Sequence, residues 1–186
     1  MYKAIVKPTL TLTLIAVIVG ALLALTYHVT GVGNASTGIA PDKLAEYQPI
    51  VLPSASKLVQ ADVHSETAGF LGAYIDEGAA GCAINISAKG YHGNDSLNLL
   101  IGFDKNGAIS GIHAISTQET PGVGTKATEQ DYLKSYIGKN APVTVSKDGS
   151  GDIDAIANAT ISSNAVADAV NQAFAVYEEL KGELEL

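Results

Sequence analysis

Apolar positions follow three different patterns along this chain. Near the N-terminus they run together: Pro8 to Tyr27 carries no charge, and Leu14 to Leu25 is continuously apolar. A helix needs ~20 residues to cross the ~30 Å hydrocarbon layer of a bilayer, so this stretch predicts a membrane helix. Thr9, Thr11 and Thr13 are tolerable there, because a helical Thr hydroxyl can bond its own backbone carbonyls. A cleaved signal peptide is the rival reading. The stretch is long for one, and the best cleavage position, after Ala35, lies far from it. Lys3 and Lys7 precede the span and the next lysine is Lys43. The positive-inside rule then places the N-terminus in the cytoplasm. The expected layout is a cytoplasmic 1–7, a membrane helix over 8–28, a Gly/Ser/Asn-rich linker over 29–40, and one extracytoplasmic domain over 41–186. Ala16, Gly20 and Ala24 share a helix face that would suit close packing of a second helix, although membrane-helix composition alone also produces such spacing.

Past the linker the pattern shortens. Asp42 to Tyr47 reads as a brief helix ended by Pro49, and Ser54 to His64 as another. Phe70 to Ile75 and Cys82 to Ile86 are short apolar runs between Gly-rich stretches, as strands are. Leu97 to Phe103 enters Asp104-Lys105-Asn106-Gly107 and leaves as Ala108 to Ser116. This predicts a hairpin, with Asn-Gly supplying the positive φ angles of a tight turn. Thr128 is a fitting N-cap for a helix over 129–137 closed by Gly138. Val143 and Val145 suggest one more strand. The third pattern is helical: Val166, Val170, Ala173, Tyr177 and Leu180 recur at steps of three and four, with Ser162 or Ser163 available to cap the start. Helices and antiparallel strands in this order predict an α+β domain with an antiparallel sheet.

Composition narrows the function. Only 16% of the residues are charged against 47% hydrophobic, low for a soluble domain. The net charge is −8; the first forty residues hold two lysines and no acid, so the remainder carries −10. An acidic domain without a single arginine is a poor nucleic-acid binder. Cys82 is alone, so there is no intrachain disulfide and no cysteine-based metal or iron–sulfur site. His64, His92 and His113 are scattered and read as structural.

Two segments stand out chemically. Gln118 to Thr125 holds Glu119-Thr120-Pro121-Gly122-Val123-Gly124, a sharply bent exposed loop with free backbone N–H groups. Asp154 to Ser163 leads directly into the terminal helix, whose N-terminus suits a phosphate. Hydroxyls at Thr160, Ser162 and Ser163 are by themselves ordinary capping groups.

Taken together, the segments resemble the flavin-bearing subunits of two related membrane machines: the G subunit of the Rnf ion-translocating oxidoreductase and the C subunit of the sodium-pumping NADH:quinone reductase. The resemblance spans nearly the whole chain. Gly90-Tyr91-His92-Gly93 matches a Gly-Tyr-x-Gly pattern, and Glu119 to Gly124 matches Glu-Thr-Pro-Gly-Leu-Gly. Asp154 followed by Asn158-Ala159-Thr160 and Ser162 matches an attachment motif, an Asp followed by Ser/Thr-Gly-Ala-Thr-x-Ser/Thr. Ala157 and Asn158 depart from that motif, replacing a hydroxyl residue and a glycine. Asn tolerates positive φ well, so the turn can survive. Chain length favours the Rnf protein, since the other carries an insertion this chain lacks.

The resemblance implies FMN joined covalently to Thr160 by a phosphoester. It implies cofactor contacts from Glu119, Thr120, Gly122, Val123, Gly124, Asn158, Ala159, Ser162 and Ser163, and no catalytic or metal-binding residue. A flavin transferase would make the bond, and the other membrane subunits of an Rnf-type complex would be the partners. The chain would then be an electron carrier of the cytoplasmic membrane without substrate turnover of its own. The flavin subunit of the sodium-pumping reductase, another extracytoplasmic electron-transfer system, or a tethered binding module without flavin are the alternatives.

Overall fold

The computed structural model describes residue 9 and residues 12–22 and 38–183. The chain divides into two compact units, 1–37 and 38–186. In the first, residues 12–22 form a helix, α1. The Thr13 hydroxyl donates to the Thr9 carbonyl at 2.9 Å, the back-bonding expected of a Thr in an apolar helix. No helix among the described residues is long and apolar enough to cross a membrane. The rest of the expected 8–28 span and most of the 29–40 linker lie outside the described residues.

The second unit is built on a five-stranded antiparallel sheet in which each strand pairs with the next. Its strands are β1 (Leu58–Ala61), β2 (Phe70–Asp76), β3 (Gly81–Gly90), β4 (Gly93–Asp104) and β5 (Ile109–Thr117). Alternation along the strands decides which face each side chain serves. Cys82, Ile84, Ile86 and Ala88 on β3, with Leu97, Leu99, Ile101 and Phe103 on β4, point to one face. There they meet Val166, Val170, Ala173, Val176, Tyr177 and Leu180 of α4 (Thr160–Glu183), the helix whose periodicity is plain in the sequence. Each fully buried large apolar side chain in this layer contributes roughly 1.5–3 kcal/mol. The opposite face carries Tyr74, Ala83 and Leu100 against Leu44, Val51 and Leu52 at α2 (Pro41–Val51). That end of α2 lies directly on the sheet because Gly102 and Gly111, paired across β4 and β5, have no side chains. A Cβ at either would overlap the carbonyl of Val51 or Ile50. Ser110 Oγ donates to the same Val51 carbonyl at 2.5 Å.

Several expected elements differ. The helix predicted over Asp42–Tyr47 runs on through Pro49 to Val51; a proline so near the end costs one intrahelical bond and does not stop the turn. Ser54–His64 is not helical. Four of its residues form β1, where pairing with β2 satisfies the backbone. The helix expected over 129–137 is a 3₁₀ turn at Gly124–Thr128, a single α turn at Gln130–Leu133 (α3) and another 3₁₀ turn at Lys134–Tyr136. Thr128 does not cap it, since its hydroxyl donates back to the Thr125 carbonyl at 2.8 Å. Gly138 does close it at φ +79°. In the β4–β5 turn, of Asn106 and Gly107 only Gly107 takes a positive φ, and a bulge between Gly102 and Phe103 absorbs the extra residue. Val145 begins the two-residue strand β6 (Val145–Ser146), which pairs in parallel with β7 (Ile153–Asp154). Val143 lies outside any strand: its N–H donates to Asn171 Oδ1 at 2.8 Å and its carbonyl accepts from Asn171 Nδ2 at 3.0 Å, tying this arm to α4.

A cleft at the start of the terminal helix

α4 begins abruptly. Asn158 adopts φ +67°, the conformation that Asn bears best among residues with a Cβ, and it turns the chain into the helix. The first intrahelical bond is Ser163 N–H to the Ala159 carbonyl at 2.9 Å. Ala159 is therefore the cap residue, with no side-chain acceptor to offer, and Thr160 is the first helical residue. The N–H groups of Thr160, Ile161 and Ser162 precede the first helical bond, so they point out of the helix end with its partial positive charge.

None of the three hydroxyls caps this end. Ser162 Oγ donates to Glu119 Oε2. Ser163 Oγ donates to the Ala159 carbonyl at 3.0 Å and accepts from Ile156 N–H at 3.1 Å. The Thr160 hydroxyl makes no hydrogen bond among the described residues, and the residue is half-buried. Capping, the ordinary use of such a cluster, is thus not how it is used here.

The Pro-Gly loop closes against this helix end. Its amides are less free than the sequence suggests: Gly122 N–H donates to Thr125 Oγ1 at 2.9 Å, and Val123 and Thr125 N–H both donate to the Thr120 carbonyl. The open N–H groups belong to the helix, not to the loop. What the loop delivers is Glu119, only 3% exposed. Its Oε1 accepts from Tyr91 N–H at 2.9 Å and from Ser96 Oγ at 3.1 Å, while Oε2 accepts from Ser162. One carboxylate therefore joins the tip of the β3–β4 hairpin, the loop and the first turn of α4.

Between these segments lies a cleft of about 460 Å³, within the range of small-molecule sites. Eight of the residues singled out from the sequence line it: Glu119, Thr120, Val123, Gly124, Asn158, Ala159, Thr160 and Ser162. Gly122 and Ser163 do not. Gly122 turns the loop at φ +72°, and Ser163 is buried behind the helix start. Three further wall residues, Tyr91, Lys147 and Ile161, were not among the expected contacts. Tyr91 stands in the Gly90-Tyr91-His92-Gly93 stretch, which held the available signal. Lys147 had none, because β6 and β7 bring its loop to the cleft. That loop is held by Thr144 N–H and Oγ1 donating to Asp152 Oδ2, each at 2.8 Å, and by Gly151 N–H donating to Ser146 Oγ at 2.8 Å.

The walls divide by chemistry. The lining holds the helix N–H groups, the unpartnered Thr160 hydroxyl and the exposed Lys147, which suit a phosphate monoester. Around them Tyr91, Val123 and Ile161 expose 64%, 42% and 56% of their surface, apolar area that a flat aromatic ring system would cover. Away from the cleft, Cys82 is fully buried and its thiol is pushed up to about 12 by desolvation, so it is inert packing. His113 packs against Tyr47 with ring centroids 4.2 Å apart, and burial draws its pKa down against the opposing charge of Glu46.

Residues 90–175 match the FMN-binding domain family, a segment that contains every residue of the cleft wall. Similarity over most of the chain extends to several G subunits of ion-translocating oxidoreductase complexes. The chain is 28% identical to the G subunit of the Na(+)-translocating ferredoxin:NAD(+) oxidoreductase complex of Acetobacterium woodii, over 96% of this chain and 94% of that protein. It is 30% identical to the G subunit of the ion-translocating oxidoreductase complex of Erwinia tasmaniensis, over 99% and 95%. It is 29% identical to the protein of that name from Shewanella amazonensis, over 92% and 87%.

Proposed function

The chain belongs to the family of G subunits of ion-translocating oxidoreductase complexes, and from that premise we propose that it carries FMN as a phosphoester on Thr160. It is the electron-carrier subunit of such a complex and works alongside the complex's other subunits. Bound FMN supplies a centre that can take up or release one or two electrons. The chain's own residues position it. The N–H groups at the start of α4 and the Lys147 ammonium would receive the phosphate. Tyr91, Val123 and Ile161 offer the ring system apolar surface. Glu119 braces the two sides of the cleft through Tyr91 and Ser162. Thr120, Gly124, Asn158 and Ala159 shape the remaining wall, while Gly122 and Ser163 support it from behind. A flavin transferase would make the bond from FAD, the Thr160 oxygen replacing AMP at the flavin phosphate as the pyrophosphate link breaks and the hydroxyl proton is lost. The membrane helix over 8–28 anchors the chain with its N-terminus in the cytoplasm and the FMN domain on the outer side.

The observation that carries this reading is the Thr160 hydroxyl: first in a 24-residue helix, in the wall of the cleft, and unpartnered among the described residues. Mass spectrometry of the 154–163 peptide tests it. The protein matured in a host that has the transferase should carry one FMN phosphoryl adduct there. Thr160→Ala should abolish the adduct and keep the melting transition, and Thr160→Ser should retain part of it. An adduct persisting in Thr160→Ala, or none on the wild-type chain, sinks the assignment.

A further inference from the structure

Glu119 is a buried acid held by neutral donors alone. Its three partners, Tyr91 N–H, Ser96 Oγ and Ser162 Oγ, are all neutral. The ion pairs among the described residues involve other acids: Glu46, Glu77 and Asp131. A carboxylate that is 3% exposed and unpaired with a cation is costly; a glutamine would keep the acceptor for Tyr91 and Ser96 but turn an N–H donor toward the Ser162 hydroxyl. The surroundings are nonetheless shaped for this group. A Cβ on Gly124 would stand 2.7 Å from Oε2 and 2.8 Å from Ser162 Oγ, and a Cβ on Gly90 would overlap Oε1. Two glycines thus leave room for this side chain, and donors on both of its oxygens make it an acceptor-only carboxylate.

We propose that Glu119 is a positioning residue whose buried negative charge also lowers the reduction potential of the flavin in the cleft. This rests on the reading that FMN is carried at Thr160. A reduced flavin bears more negative charge than an oxidised one, and a fixed anion in a poorly screened wall opposes that gain. Lys147 lines the same cleft with the opposite sign. Its side chain is exposed, so solvent and salt screen it while Glu119 stays in the protein interior. That difference in screening decides the sign. Ser162 modulates the effect, because its hydroxyl dipole points at the carboxylate and partly offsets the charge.

The test is spectroelectrochemical titration of the FMN-loaded full-length protein in detergent, as wild type, Glu119→Gln and Ser162→Ala. Loading is checked on the 154–163 peptide and folding by thermal melting. Glu119→Gln should raise the reduced-to-oxidised ratio at a fixed potential by about tenfold, roughly 30 mV for a two-electron couple. Ser162→Ala keeps the charge and removes its donor, so the ratio should fall. Opposite shifts distinguish a charge from a mere brace, whose loosening by either substitution would move the potential the same way. A loaded Glu119→Gln protein with an unchanged ratio overturns this inference and leaves the attachment site standing. If Glu119→Gln does not fold, an upward or absent shift in Ser162→Ala overturns it instead. A wild-type chain without FMN on Thr160 overturns the attachment reading and this inference with it.

Discussion

Two buried carboxylates organise this domain, and they do so in different ways. Asp76, at the end of β2, is 5% exposed. Its Oδ1 accepts from Ser56 N–H at 2.8 Å, Ser56 Oγ at 2.9 Å and Lys57 N–H at 2.9 Å, and its Oδ2 from Ala80 N–H at 3.0 Å. Burial works to raise its pKa, but these donors outweigh burial and hold it at about 2. Every partner belongs to the turn after β2 or to the chain entering β1, and none of these residues lines the cleft. Glu119 is as well buried, yet its partners come from a hairpin tip, a strand and a helix start, and its own loop closes the cleft they surround. A carboxylate that closes a turn is a structural clasp. One that gathers segments distant in sequence around a cleft makes a site. Number of donors does not separate the two; where the donors come from does.

Removing each acid sharpens the contrast most. Glu119→Ala and Asp76→Ala should each lower the unfolding free energy by roughly 2–4 kcal/mol, because both strand buried donors. Urea denaturation measures that loss. Only Glu119→Ala should also reduce the fraction of folded protein carrying FMN. Equal loss of flavin in folded Asp76→Ala would break the distinction.

A smaller effect separates two glycines of the Pro-Gly loop. Gly124→Ala pushes a methyl group toward Glu119 and Ser162, and should shift the flavin absorbance. At Gly122 a Cβ meets no atom within 4 Å, but the φ of +72° strains any side chain. Gly122→Ala should therefore cost about 1–2 kcal/mol and leave the spectrum unchanged. A spectral change at Gly122 alone would mean that the loop backbone, not the Glu119 brace, governs the cleft.

A last effect shows its pH dependence only in acid. The folded pKa of Asp76, about 2, lies below the unfolded value of about 4. Its contribution is therefore complete above pH ~4 and lost as pH falls from there through about 2. Asp76→Asn should be less stable than wild type at neutral pH and show a flatter dependence across that window. A wild-type stability that is level between pH 4 and 2 would remove Asp76 from the account.

The sequence and the fold agree where a pattern is long or a motif is local. The five apolar positions from Val166 to Leu180 sit on the buried face of α4, and the hairpin turns at Gly107, which alone of the Asn-Gly pair takes a positive φ. Positive φ at Asn158 follows from the same local chemistry. Agreement fails where tertiary pairing decides. Leu58–Ala61 has no period of its own and becomes a strand only because β2 needs an edge partner. Residues 124–136 alternate between 3₁₀ and α turns as packing against β5 and α4 dictates. In the cleft, Thr160 and the Glu119 loop were legible because each is contiguous in sequence. Lys147 was not, since only a two-residue parallel ladder and the Asn171 tie bring it there. Nor did the sequence say that the Pro-Gly loop would turn its amides on itself and leave the helix end as the anion-facing part.

Ala159 at the head of α4 bears on the order of assembly. A helix with a serine or aspartate cap is complete when it folds. This one folds with its first N–H groups still open, while Ser162, Ser163 and Asn158 already hold the turn in shape. The Thr160 hydroxyl is consequently displayed by a finished scaffold whose parts come from as far back as Tyr91, and a loose peptide of the same letters would lack that display. Under the proposed attachment, chemistry at Thr160 would read three-dimensional shape, and a chain short of its native state would offer nothing equivalent to modify.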